Sequence, residues 1–242
     1  MSIWGKLLGG AAGFAMGGPI GALIGAIAGH AYDKTKEGGG GIGAATRQSA
    51  FAIGVIVLAA KMAKADGRVT RDEVAAFKKV FRIPGHEAAA VARIFNEAKR
   101  EATGFEPYAA QIATLFRRTP GVLHELIDAL FVIALADGEL HPAELDYLQR
   151  VAAIFGFTEA QFESVRSRHK AAEEADPYRI LGVPREISDV ELKKTYRKLV
   201  REHHPDRLIA QGLPQEFVEV ATAKLAAIND AYDRLAKARG IA

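Results

Sequence analysis

The residues of this chain with the clearest chemical consequence are His204-Pro205-Asp206: a titratable ring, a rigid imide and a carboxylate in succession. They follow a basic stretch, Leu192 to His203, and precede an apolar-periodic stretch from Phe217 to Leu235. A tripeptide held between two amphipathic segments is a docking device. No nucleophile constellation accompanies it. Ser2, Ser49, Ser164, Ser167 and Ser188 lack elbow glycines, and no Gly-x-x-x-x-Gly-Lys-Ser/Thr phosphate loop occurs. The absence of cysteine removes disulfides, thiolate catalysis and thiolate metal sites together. A zinc site on His203-His204 fails on ligand number, because no third histidine is spaced to complete a tetrahedron. The chain does not read as an enzyme.

The elements that must position the tripeptide are helical by spacing. Leu192, Tyr196, Leu199 and His203 share one face, while Lys193, Arg197 and Arg201 stand four apart on another. Val190 to His203 carries Lys193, Lys194, Arg197, Lys198 and Arg201 against only Glu191 and Glu202, an excess that steers an acidic partner. Phe217, Val220, Lys224, Leu225, Ile228, Tyr232 and Leu235 follow at three- and four-residue steps. The spacing predicts an antiparallel helix pair. Pro205 ends the first helix, because proline disfavours helical geometry at His204. The tripeptide is therefore expected in an exposed loop at the tip.

Asp176-Pro177-Tyr178-Arg179-Ile180-Leu181-Gly182-Val183, then Leu192-Lys193-Lys194-Thr195-Tyr196-Arg197-Lys198-Leu199, then His204-Pro205-Asp206 closely resembles the J domain of DnaJ-type co-chaperones. The resemblance covers residues 175–242. It implies that the tripeptide and the basic helix contact an ATP-bound DnaK-type chaperone and stimulate its ATP hydrolysis. The contact residues it implies are Lys193, Tyr196, Arg197, Lys198, Arg201, His204, Pro205 and Asp206.

A chain of 242 residues with 49% apolar side chains has room for two or three small domains. The net charge of +3 is mild and no Arg/Lys-rich run occurs, which disfavours nucleic acid as a partner. The N-terminus is unlike a soluble protein's: no Asp, Glu, Lys or Arg occurs from Leu7 to Tyr32. Spanning a bilayer takes ~20 predominantly apolar residues. Residues 1–32 are read as a membrane anchor with Trp4 and Tyr32 at its interfaces. Gly13, Gly17, Gly21, Gly25 and Gly29 belong to a strict four-residue period that lets a second helix approach closely, so self-association as a homodimer or higher is expected. Four residues turn a helix by about 400°, so the ridge drifts ~40° per glycine and serves over part of its length. Gly17-Gly18-Pro19 leaves a kinked helix or a hairpin open beside a straight span. Lys6 alone precedes the segment while Lys34, Lys36 and Arg47 follow it, which places the C-terminal bulk in the cytoplasm. Residues 33–46, with Gly38 to Gly41, read as a flexible tether.

Residues 47–172 contain an internal repeat. Ala63-Lys64-Ala65-Asp66-Gly67-Arg68-Val69-Thr70-Arg71-Asp72-Glu73-Val74 aligns with Ala134-Leu135-Ala136-Asp137-Gly138-Glu139-Leu140-His141-Pro142-Ala143-Glu144-Leu145. Each copy predicts a helix ending at Asp-Gly and a second helix with Glu73 or Glu144 in its first turns, two units related by approximate twofold symmetry. The repeat resembles the TerB-like helical domain named for tellurite resistance, a family connected with divalent metal. A bound ion would need Asp66, Glu73, Asp137 and Glu144 to converge. Those residues also suit plain turn and helix-terminus roles, and no cofactor is otherwise expected.

The whole chain resembles the DjlA-type family of membrane-anchored, DnaJ-like co-chaperones of bacterial inner membranes. The expectation is an all-α protein with three parts: an anchor, a TerB-like bundle that selects an unidentified client or signalling protein, and a J domain that recruits a DnaK-type chaperone. The short Ala/Glu-rich join around 170–175 is expected to continue as helix. An alternative is a metal-responsive envelope-stress scaffold whose sensor is the middle domain and whose output is the J domain.

Overall fold

A computed structural model describes residues 18–22, 44–65, 71–80, 82–83, 85–100, 104–169 and 175–241. The described residues are helical, with no strand among them. Of the expected tether, residues 33–43 lie outside them while residues 44–46 are helical, and the join at 170–174 also lies outside. So do four of the five ridge glycines, Gly13, Gly17, Gly25 and Gly29. Among the described residues no helix is long and apolar enough to cross a membrane. The short stretch 18–22 rests on the middle region, with Ile20 fully buried and its N–H donating to Gln111 Oε1 at 2.9 Å.

Helix α1 (Ala44–Ala65) is the axis of the middle region. Every residue from Ser49 to Ala63 is buried, as a helix apolar on all sides must be. Around it stand α2 (Arg71–Val80), α3 (Ala88–Arg100), α4 (Glu106–Leu115), α5 (Pro120–Ala134), α6 (Pro142–Ile154) and α7 (Glu159–Arg168). The repeat is visible in reciprocal packing. Helix α2 lies on α5 while α6 lies on α1, where the Tyr147 hydroxyl donates to the Leu58 carbonyl at 2.8 Å. Helices α2 and α6 begin at equivalent positions of the two copies, and Gly138 carries the Asp-Gly turn before α6 at φ +92°.

The C-terminal region contains α8 (Pro177–Leu181), α9 (Asp189–Glu202), α10 (Pro205–Ala210), a 3₁₀ turn (Gln215–Phe217) and α11 (Val218–Arg239). Helices α9 and α11 are antiparallel as expected. Arg239 at the end of α11 meets Asp189 at the start of α9 at 3.0 Å, and further along Tyr196 stacks on Tyr232 with centroids 4.0 Å apart. Ile180, Leu181, Leu192, Ile228, Ala231 and Leu235 close a small core between them.

That core does not hold the whole C-terminal region. Leu208, Leu213, Phe217 and Ala221 belong instead to the large core built on α1, α4 and α5. Phe217 meets Phe51 edge-on with centroids 4.7 Å apart, and Phe51 in turn meets Phe116. The segment that follows the His-Pro-Asp tripeptide is thus a structural part of the middle region.

Candidate functional site

The basic helix starts from a well-capped end. The Ser188 hydroxyl accepts the N–H of Glu191 at 3.3 Å, and Asp189 and Glu191 sit where the helix dipole favours negative charge. Arg201 sits in the last turn, where a cation is favoured. The apolar stripe faces inward, with Leu192 and His203 buried and Tyr196 and Leu199 half-buried. Arg197, Lys198 and Arg201 are exposed, and Lys193 is half-buried.

The structure corrects the expected loop at the tripeptide. Helix α9 ends at Glu202, and His204 is the N-cap of α10, its Nδ1 accepting the N–H of Asp206 at 3.3 Å. Pro205 both stops α9 and occupies the first position of α10, where its fixed φ and missing N–H cost nothing. The outcome for the site is still exposure: the Asp206 side chain is 89% exposed and that of His204 about half exposed. Tyr196, Arg197, Arg201, His204, Asp206 and Arg207 line one open concavity, which joins the end of the cationic stripe to the tripeptide. A second shallow groove continues along Lys193, Lys194 and Lys198. The structure therefore brings all eight implied contact residues onto one ridge and its end. The arrangement presents cations with the exposed Asp206 carboxylate at their end and Glu186 and Glu191 along the second groove, and holds no acid, base and nucleophile in mutual reach.

The four carboxylates considered for a metal ion fall differently. Asp66 lies outside the described residues, and of Glu73 only the helical backbone is described. Asp137 Oδ1 accepts the N–H of Glu139 at 3.1 Å, and Glu144 Oε2 accepts the N–H of His141 at 3.0 Å. Both described carboxylates turn back on their own backbone, the turn and cap roles that compete with ion binding. Among the described residues no group of three His, Asp or Glu side chains could hold a metal ion.

A group of charged residues that the sequence did not single out lies behind the tripeptide. Lys224 Nζ of α11 sits 2.9 Å from Glu125 Oε1 and 2.9 Å from Asp128 Oδ2, both on α5. Arg168 and His169 reach Asp128 at 3.1 and 3.0 Å, and His203 Nδ1 lies 3.3 Å from Glu125 Oε1. Glu125 is 0%, Asp128 2%, Lys224 4% and His203 5% exposed, so these charges interact with little screening. Burial pushes the Glu125 carboxyl up, against the pull of Lys224. Burial also pushes Asp128 up, but Arg168, Lys224 and His169 outweigh it and hold that carboxyl well below the usual range. Burial, aided by Lys224 and Arg168, lowers His203 to about 2, and burial likewise keeps the neighbouring His124 neutral. His203 therefore lies against Glu125 as a neutral ring and not as an ion pair, its Nδ1 without a hydrogen-bond partner among the described residues. The available signals were Lys224 at an apolar-spaced position of α11 and Glu125 and Asp128 three apart within the apolar run of α5.

An antiparallel helix pair, a cationic face and an exposed His-Pro-Asp at its end define a J-domain protein, and residues 176–239 match the DnaJ domain family model. Residues 52–167 match the model of tellurite resistance protein TerB, and residues 1–49 that of the co-chaperone DjlA transmembrane domain. The chain is 34% identical to co-chaperone protein DjlA of Shewanella oneidensis over the full length of both. It is 32% identical to that of Photobacterium profundum over 98% of this chain and 99% of the other, and 29% identical to that of Coxiella burnetii over 98% of each. No solved structure matches it. This chain belongs to the DjlA family of co-chaperones.

Proposed function

We propose that this protein recruits a DnaK-type chaperone to the bacterial inner membrane and stimulates its ATP hydrolysis. The observation that carries the proposal is the continuity of exposed Arg197 and Arg201 with His204 and Asp206 in one accessible concavity, with exposed Lys198 in the adjoining groove. An acidic surface of the chaperone is steered to the cationic face. His204, Pro205 and Asp206 then engage the ATP-bound partner, and stimulation follows from tighter binding to the state that hydrolyses ATP. The N-terminal segment anchors the protein at the membrane on either side of the stretch 18–22 that rests on the middle domain, residues 33–43 lead into α1 at Ala44, and the remainder works in the cytoplasm. The match of residues 1–49 to a transmembrane domain supports that placement. Close approach along Gly13, Gly17, Gly21, Gly25 and Gly29 pairs two or more copies. The middle domain selects the client or signalling protein.

The test is single-turnover ATP hydrolysis by a DnaK-type chaperone with the full chain in lipid nanodiscs. Wild type accelerates hydrolysis, whereas Asp206→Asn and His204→Gln do not. Equal rates with and without wild type would refute the proposal.

A further inference from the structure

The His-Pro-Asp tripeptide is fastened on both sides to a region that is not part of the J domain. Immediately before it, His203 is buried with its ring against Glu125 at 3.3 Å and against the His124 ring with centroids 5.5 Å apart. Two residues after Asp206, Leu208 is fully buried in the core that α5 shares. A Cβ placed on Gly121, in the first turn of α5, would meet Leu208 Cδ2 at 3.1 Å and the Glu202 carbonyl at 3.3 Å. The backbone of α5 thus passes directly under both ends of the exposed tripeptide, so close that a side chain at Gly121 would have to push Leu208 or the Glu202 carbonyl back. Lys224, held by Glu125 and Asp128, fixes the first half of α11 to the same helix.

None of these contacts covers the docking face. His204, Asp206, Arg197 and Arg201 remain exposed while the residues bracketing them are buried. A clamp that leaves the binding surface open and immobilises its two ends lowers the ordering cost paid on association. Resting on the co-chaperone function above, we propose that Glu125 and Gly121 of the middle domain are positioning residues for the tripeptide, so that the TerB-like and J regions form one chaperone-docking unit. Glu125 acts through His203 and Lys224, and Gly121 acts by letting Glu202 and Leu208 seat on α5.

The experiment compares wild type, Glu125→Ala, Gly121→Leu and Glu125→Gln, all full chains in lipid nanodiscs, in chaperone-stimulated ATP hydrolysis over a range of co-chaperone concentration. His204→Gln is the inactive reference. Amide hydrogen exchange over residues 203–210 is followed in parallel. Glu125→Ala and Gly121→Leu raise the half-maximal concentration about tenfold, which corresponds to about 1.4 kcal/mol of lost preorganisation, and leave the saturating rate unchanged. Exchange at 205–210 rises in the same two variants. Glu125→Gln keeps an acceptor for Lys224 and stays within about threefold of wild type. Gly121→Leu leaves every charge in place, so it carries the same expectation should Glu125→Ala fail to fold. A saturable wild-type response together with an unchanged half-maximal concentration in Gly121→Leu would overturn the positioning role while leaving the co-chaperone function standing. A fall in saturating rate alone would also overturn it. No wild-type response above that of His204→Gln would instead refute the underlying function.

Discussion

Replacing Lys224 by alanine tests how the two regions are joined. The lysine is 4% exposed and stands 2.9 Å from each of two buried carboxylates, so its removal leaves negative charge in a site with almost no water. Breaking a buried ion pair by deleting one partner costs ~3–5 kcal/mol. Two features set this case near the lower end. Asp128 keeps Arg168 at 3.1 Å and His169 at 3.0 Å. Glu125, whose carboxyl burial already pushes up, can take a proton in place of the lost cation. The expected cost is about 3 kcal/mol, and at ~2–4 °C per kcal/mol for a domain of this size the melting midpoint falls by roughly 6–12 °C. Urea and thermal unfolding of the full chain in nanodiscs read the change. The double-mutant cycle with Glu125→Leu should return a coupling of about 1–3 kcal/mol between the two positions. A loss of less than about 0.5 kcal/mol, the ordinary effect of an exposed substitution, would refute the buried clamp.

Three further outcomes follow from the same structure. Stability should fall on acidification from about pH 7.5 to about pH 5.5. His203 is held near 2 and His124 well below 6.5, so the unfolded chain binds protons that the folded one refuses. Each histidine contributes up to about 1.4 kcal/mol per pH unit below its unfolded value. Asp128, already depressed, keeps its contribution until far lower pH, and Glu125, raised, opposes the trend; His203→Gln should roughly halve the slope in pH-dependent urea unfolding. Phe217→Ala, which empties a fully buried site against Phe51, should cost about 3–5 kcal/mol in the same assay. Calorimetric titration with calcium, magnesium and zinc at about millimolar ion should give no saturable heat, and Glu144→Ala should lose about 1 kcal/mol through its helix terminus, whereas ion-dependent stabilisation abolished by that substitution would support the sensor alternative.

What could be read from the sequence was whatever depends on neighbours along the chain. The 3.6-residue spacing of Leu192, Tyr196 and Leu199 placed α9, and Phe217 to Leu235 placed α11. The Asp-Gly pairs seventy-one residues apart foretold equivalent starts of α2 and α6, because a left-handed glycine turn and a glutamate at the third helical position are local signals. The His-Pro-Asp residues were legible as a motif, yet their local form was not. A rule that proline stops a helix does not say whether it also opens the next one, and here α10 begins at Pro205.

The interdomain clamp was hidden for a different reason. Glu125 and Lys224 are ninety-nine residues apart, and Asp128 and Arg168 forty apart, so no periodicity links them. Lys224 falls on the apolar face of α11 by spacing; a charged residue on a buried face requires a buried partner, and Glu125 and Asp128 within the apolar α5 supply one. The same long-range packing explains why the core does not divide where the composition does. Leu208, Leu213 and Phe217 were legible as apolar, but which core they join is decided by α1 and α5.

The most direct measurement is single-turnover hydrolysis of ATP by a DnaK-type chaperone in the presence of the full chain in nanodiscs, with wild type and Asp206→Asn side by side. Asp206 is almost wholly exposed, so its substitution leaves the fold untouched and removes only the carboxylate presented to the partner. Acceleration by wild type and none by Asp206→Asn is the expected result; equal acceleration by both would show that the tripeptide does not carry the chaperone contact.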